Sequence, residues 1–292
     1  MTIKSLLITS LICTHLSLHA DSNTDFAGSG KLNLTGLIPN IDGVAGAGIS
    51  HSAIIGGYGT EDQIGAAGNF SQVQLSDFKL STQSVLVGFY NRIELSHSKS
   101  EFDTQDVGAQ LGLGEGYTFK NQTTSLKLRL MGDAILDQDS WLPQIAIGYS
   151  EKSSDNAAVL NLIGSQSDDD SEVFVSASKL FLSQSLLLNL NLRNTRANQN
   201  GILGFGGDKE SKKEWLFEGS LAYLLNDNLA LGYEYKASPD NLSFAKQEDW
   251  QDLFLLYNPS KHVSLTVAYV SLGEIALQPD QTGYYASISI QF

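Results

Sequence analysis

The C-terminal stretch of the chain alternates with period two. Tyr284, Ala286, Ile288, Ile290 and Phe292 fall on one face, and Tyr285, Ser287, Ser289 and Gln291 on the other. Such alternation describes a strand with one apolar and one polar face. The pattern recurs upstream. Val263, Leu265, Val267 and Tyr269 alternate with Ser264, Thr266 and Ala268. Leu229, Leu231, Tyr233 and Tyr235 alternate with Ala230, Gly232, Glu234 and Lys236. Trp215, Phe217 and Leu221 alternate with Leu216, Glu218 and Ser220; Leu186, Leu188 and Leu190 with Leu187, Asn189 and Asn191; Leu126, Leu128 and Leu130 with Lys127 and Arg129. Segments of about 9–11 residues match a strand crossing a bilayer at a tilt, whereas soluble strands run about 5–6. The polar faces hold Ser, Thr, Asn, Gly and single charges, which suits a crowded lumen better than a soluble surface. Tyr149, Trp215, Tyr235, Trp250, Tyr257, Tyr269 and Tyr284 gather near strand ends, where interfacial girdles form.

These features predict an all-β chain forming a single antiparallel transmembrane β-barrel of about 12 strands over residues 65–292. Fourteen strands is the rival count, using 107–120 and 51–58 as two more. A soluble all-β protein is the alternative class. Connection lengths provide a second signal. The stretches 272–281, 237–248, 196–212 and 153–170 read as outer loops, and 258–261, 225–227, 182–184 and 134–141 as shorter periplasmic turns. Leu188 and Val267 are expected to face lipid, and Asn189 and Thr266 the lumen. Residues 28–68 differ, holding 11 of the 27 glycines. The Gly-rich N-terminal segment, 21–64, reads either as a periplasmic lead-in or as a plug folded into the lumen, where glycine permits close backbone approach.

Composition narrows the setting. Charged residues are 17%, below the roughly 25% of soluble domains. The net charge of −14 argues against nucleic acid as a partner. No run of about 20 apolar residues exists to form a transmembrane helix. Residues 1–20 read as a secretory signal peptide, with Lys4 ahead of a short apolar run and Ala20 at the cleavage position. Cleavage would remove Cys13, the single cysteine, so no disulfide framework and no Cys-based metal site is expected.

Little catalytic chemistry emerges. The glycines at 112–116 and 204–207 lack the strand–loop–helix context of a nucleotide fingerprint and read as turns. Asp133, Asp137 and Asp139 read as turn caps, with calcium as the sharper alternative. Asp168, Asp169, Asp170 and Glu172 read as a solvated acidic run, or one bridged by divalent cations to lipopolysaccharide phosphates. A serine–histidine site would need His97 or His262 beside a serine on a neighbouring strand. Lys127, Arg129, Arg193, Glu218, Glu234 and Lys236 are the lumen-facing candidates. Four cations against two anions would give a conducting lumen a weak preference for small anions. No cofactor or metal is called for. Phe292, last in an alternating strand, reads as the signal by which barrel assembly machinery recognises an outer-membrane protein.

The run Val85-Leu86-Val87-Gly88-Phe89-Tyr90-Asn91-Arg92-Ile93-Glu94-Leu95 resembles a strand–turn–strand piece of bacterial outer-membrane barrels. Together with Ile55-Gly56-Gly57-Tyr58-Gly59-Thr60, Phe102-Asp103-Thr104-Gln105, Leu111-Gly112-Leu113-Gly114 and Asp137-Gln138-Asp139-Ser140-Trp141-Leu142-Pro143-Gln144, it resembles an uncharacterised proteobacterial outer-membrane β-barrel family, a domain of unknown function. That resemblance implies a location in the outer membrane of a Gram-negative bacterium, in contact with its lipid and lipopolysaccharide, and it transfers no activity. The leading function is a passive channel or small-solute carrier. A structural or partner-binding envelope protein with a filled lumen comes next, and an outer-membrane enzyme third.

Overall fold

The computed structural model describes residues 30–292, so the expected signal peptide lies outside the described residues. Two residue pairs, β1 (Ile38–Pro39) and β2 (Ala45–Gly46), form a short ladder. Twelve long strands follow: β3 (Ile64–Leu75), β4 (Lys79–Phe89), β5 (Ile93–Asp103), β6 (Thr118–Met131), β7 (Gln144–Ser154), β8 (Asp169–Phe181), β9 (Leu186–Thr195), β10 (Glu214–Asn226), β11 (Leu229–Lys236), β12 (Trp250–Ser260), β13 (Val263–Ser271) and β14 (Thr282–Gln291). Each pairs antiparallel with its sequence neighbours, and β14 pairs with β3 to close the barrel, with Ile288 opposite Phe70. Closure leaves no unpaired strand edge.

The count is therefore twelve and not fourteen. Of the two extra stretches, 107–120 divides between helix α1 (Gln105–Gln110) and the start of β6, and 51–58 forms no strand. Alternation places side chains as expected: Val267 is 55% exposed and Thr266 4%. Leu190, Leu192, Phe217, Leu221, Leu253, Leu265 and Ile288 are likewise exposed. They form an apolar outer band that hydrocarbon, not water, accommodates. Trp250 departs from the expected girdle. It points inward at 2% exposure, because it sits on the polar-face parity of β12 beside Asp252 and Phe254.

Phe292 and the start of β3 lie at one mouth, where Phe292 O accepts from the amides of Tyr58 and Ala66. The connections there are short at 90–92, 182–185, 227–228 and 261–262. The opposite mouth carries 104–117, 155–168 with α2 (Ala157–Leu162), 196–213, 237–249 and 272–281. Two connections break the length rule: 76–78 is a tight turn at the long-loop mouth, and 132–143 is long at the short-turn mouth. At the long-loop mouth Phe78, Phe102, Val107, Phe119, Leu160, Leu203, Leu242, Trp250 and Ile275 pack into one apolar cluster. Loops thereby fold over the barrel as a cap.

Candidate functional site

The interior is filled. From Lys31 to Gly59, nearly every described residue is buried, and its partners lie on strands all around the wall. At the short-turn mouth Asn258 donates to Asn33 at 2.9 Å, and Asn33 donates to Asn228 at 3.1 Å. The chain rises until Ile41 and Ile49 join the apolar cap. It then descends, and the Gly57 amide donates to Gly36 O at 2.8 Å. Gly43 makes the reversal at φ 85°, and a Cβ there would sit 3.1 Å from the His97 backbone carbon. The left-handed dihedral favours glycine, and the close His97 backbone adds to the cost of any side chain.

An irregular backbone in a lumen must find partners for its amides and carbonyls. Wall side chains supply them by charge sign. Glu234 accepts the amides of Gly48 at 2.6 Å, Ile49 at 3.2 Å and Ser50 at 2.9 Å. Glu94 accepts those of Ala45 at 3.0 Å and Gly56 at 2.8 Å. Lys127 donates to the carbonyls of Ser52 at 3.1 Å and Ile54 at 2.7 Å, and Gln144 donates to that of Ala53 at 2.6 Å.

Higher in the lumen six charges close into an alternating ring. Asp42 lies 3.0 Å from Lys152, Lys152 3.2 Å from Glu172, and Glu172 3.5 Å from Arg193. Arg193 pairs closely with Glu218, Glu218 lies 2.8 Å from Lys236, and Lys236 returns to Asp42 at 3.5 Å. His51 sits within it, its Nδ1 at 2.8 Å from Glu218 and its Nε2 at 3.6 Å from Asp42. Each of the seven is at most 2% exposed. Three acids and three bases cancel, so the ring holds no net charge that would draw in an ion. Asp42, His51 and Glu172 have the mutual closeness of a metal-binding trio, yet the Lys152 ammonium already bridges both carboxylates.

All six lumen candidates face inward. Arg193, Glu218 and Lys236 stand in the ring, Lys127 and Glu234 hold the backbone, and Arg129 sits at the short-turn mouth on Asp133 at 2.6 Å and Glu61 at 3.2 Å. The expected two-to-one cationic excess shrinks to near balance, because Asp42, Glu94, Glu172 and Asp252 are also buried, against the further cations Lys31, Lys152 and Lys179. Glu172 is thus no part of a solvated run; only its neighbours are, with Asp170 held by Arg196 and Lys213. Asp133 and Asp137 act as turn caps, accepting from the amides of Ile135 and Leu136 and of Ser140. His97 lies on the outer face and contacts Thr124 at 2.9 Å, while His262 contacts the Gln291 carbonyl. Among the described residues neither joins a serine. The sequence reading missed Glu94, Lys152, Asp42 and His51. Glu94 alone carried a usable signal, sitting between outward Ile93 and Leu95.

Comparison with known proteins adds fold and family. A KdgM porin structure matches with a TM-score of 0.50 at 13% identity, over 77% of this chain and 99% of that one. A KdgM porin in complex with disordered oligogalacturonate matches at 0.50 and 12% identity, over the same shares. A NanC porin matches at 0.49 and 10% identity, over 78% of this chain and 98% of that one. No curated protein sequence matches. The sequence profile of the family described as "Protein of unknown function (DUF3034)" matches residues 35–289, taking in both the lumen segment and the barrel, and the chain belongs to that family.

Proposed function

We propose that this protein is an outer-membrane channel of a Gram-negative bacterium held shut by its own residues 31–59. The observation that carries this is the chemistry of the wall. Glu94, Glu234, Lys127 and Gln144 spend their hydrogen bonds on the segment's backbone. Withdrawing the segment would leave a polar lumen that water can fill. With the segment in place, two cavities among the described lumen residues measure about 30 and 10 Å³, room for about one water each. Phe292 serves as the assembly signal, and lipid and lipopolysaccharide are the surroundings of the apolar band.

A closed envelope scaffold is the second reading, and the apolar cap favours it. Opening would have to breach Phe78, Phe102, Trp250 and Ile275 as well as the segment. Planar-bilayer recording separates the two. Wild type should be silent, Glu94→Gln with Glu234→Gln should show brief openings, and deletion of 31–59 should conduct steadily. A deletion variant that inserts, shows the heat-modifiable migration of a folded barrel and stays silent would establish the scaffold.

A further inference from the structure

The mouth where the chain enters has a cleft of about 730 Å³ between the lumen segment's exit and the long turn 132–143. That volume lies within the range of small-ligand sites. Its lining carries both signs: Glu61 and Asp133 are taken by Arg129, which leaves Arg92, Asp62 and Asp137. Arg92 is exposed, and its guanidinium has no ion-pair or hydrogen-bond partner among the described residues. On the same cleft, Asp62 and Asp137 are exposed and their carboxylates form no ion pair among the described residues, the Lys179 ammonium reaching only the Asp137 backbone carbonyl at 2.7 Å. Arg129 also lines it, only 4% exposed, and its buried Nε lacks a partner although both terminal nitrogens are paired.

The rim is apolar. Leu130 is 43% exposed, Leu136 45% and Met131 51%, and Trp141 in the same turn is 88% exposed. Tryptophan beside exposed leucines at a strand-end turn belongs at a headgroup boundary. Charge of both signs next to exposed hydrocarbon fits an amphiphile whose head carries an anion and a hydrogen-bonding cation.

We propose that this cleft binds the headgroup of an inner-leaflet phospholipid bearing a primary ammonium, phosphatidylethanolamine by chemistry. Its phosphate meets Arg92, and its ammonium meets Asp62 and Asp137. A planar guanidinium matches phosphate oxygens, and carboxylates accept N–H donors that a quaternary ammonium lacks. The site gives the Asp137–Trp141 run a role. It rests on the membrane placement proposed above.

The test is native mass spectrometry of the detergent-solubilised full chain, titrated with palmitoyl-oleoyl phosphatidylethanolamine, phosphatidylglycerol or phosphatidylcholine. One phosphatidylethanolamine should be retained in preference to the other two. Arg92→Gln should weaken it by about three- to tenfold, the scale of a charge-assisted contact at a part-exposed site. Asp62→Asn with Asp137→Asn should shift the preference toward phosphatidylglycerol. Heat-modifiable migration on gels confirms that each variant is a folded barrel. Equal retention of the three lipids by wild type, or undiminished phosphatidylethanolamine retention in Arg92→Gln, overturns the site while leaving the barrel in its membrane. Failure of wild type to insert into vesicles of any of these lipids overturns the membrane placement and the site with it.

Discussion

Glu94 and Lys127 stand opposite each other on β5 and β6, their charged atoms 3.0 Å apart, and each also grips the lumen segment by groups of opposite polarity. The carboxylate takes the amides of Ala45 and Gly56, and the ammonium gives to the carbonyls of Ser52 and Ile54. One ion pair thus clamps both limbs of the loop. Each charge has its counterion and its hydrogen bonds inside the protein, the condition under which a buried pair is tolerated.

Removing one partner should be far worse than removing both. Lys127→Met leaves a buried carboxylate without its counterion and two carbonyls without a donor. The expected cost is about 3–5 kcal/mol, read from urea unfolding in lipid vesicles. Lys127→Met with Glu94→Gln should recover part of that loss, because no lone charge remains. A double-mutant cycle with no coupling between the two positions would contradict the clamp.

The faces of the barrel make a second test. Val267 is 55% exposed on the outer band and Thr266 4% on the lumen side. Val267→Arg places a charge in hydrocarbon and should cost about 2–4 kcal/mol if it lies near the midplane. Thr266→Val should change stability by about 1 kcal/mol or less, since it borders a small apolar-lined cavity and keeps its shape. Asn189 is a poor lumen control, because it accepts from Ser52 and donates to Ser220, so Asn189→Arg would strike the segment. Equal losses at Val267 and Thr266 would contradict the assignment.

Strands, faces and closure were legible because period-two alternation is a local signal. Lys127 between Leu126 and Leu128 declared its side without any knowledge of neighbours. Lys152 could not, since Glu151, Ser153 and Ser154 around it offer no apolar position to set the face. Glu172 was masked by the acids before it, although Val173 and Val175 share the opposite parity. The lumen segment carried no period at all. Asp42 and His51 meet wall residues more than 100 positions away, such as Lys152 and Glu218. Only the closed register of twelve strands brings those residues to one height. The ring is therefore a property of topology, which a linear reading does not reach.

The turn 132–143 should respond to acid. Burial works to raise the Asp133 pKa, but the amides of Leu136 and Ile135 and the Arg129 guanidinium outweigh it and hold the carboxyl below its ordinary value of 3.8. A carboxyl whose folded pKa is depressed contributes stability above its unfolded value and loses it as pH falls through the folded one. The turn should thus stay ordered at neutral pH and loosen only below about pH 4. Limited proteolysis of the turn from pH 6 downward checks this with an acid-active protease. Asp133→Asn should be more readily cut at neutral pH and should change little on acidification. A wild-type turn equally resistant at pH 6 and at pH 2.5 would count against the capping role. The group is only about half buried, so the effect is modest.

The last prediction follows from a ring lying over a glycine. Phe174 on β8 covers Gly148 on β7, its register partner, so closely that a Cβ at 148 would fall 2.0 Å from the ring edge. The same ring packs at 4.6 Å from the imidazole of His51. Gly148→Ala cannot be absorbed by a flexible side-chain end, because the aromatic is 1% exposed and walled in. Phe174 must move, and with it the floor on which His51 rests between Glu218 and Asp42. The overpacking should cost about 1–3 kcal/mol. It should also loosen the lumen segment, raising hydrogen exchange at the His51 amide, which donates to Glu218 at 3.2 Å. Gly68→Ala supplies the control, since a Cβ there meets only the Ser84 carbonyl oxygen, at 3.9 Å. Its stability and His51 exchange should remain close to wild type. If Gly148→Ala lowers stability but leaves exchange at His51 unchanged, Phe174 supports the wall alone. If both respond, the packing of β7 against β8 is coupled to the seating of the segment that fills the barrel.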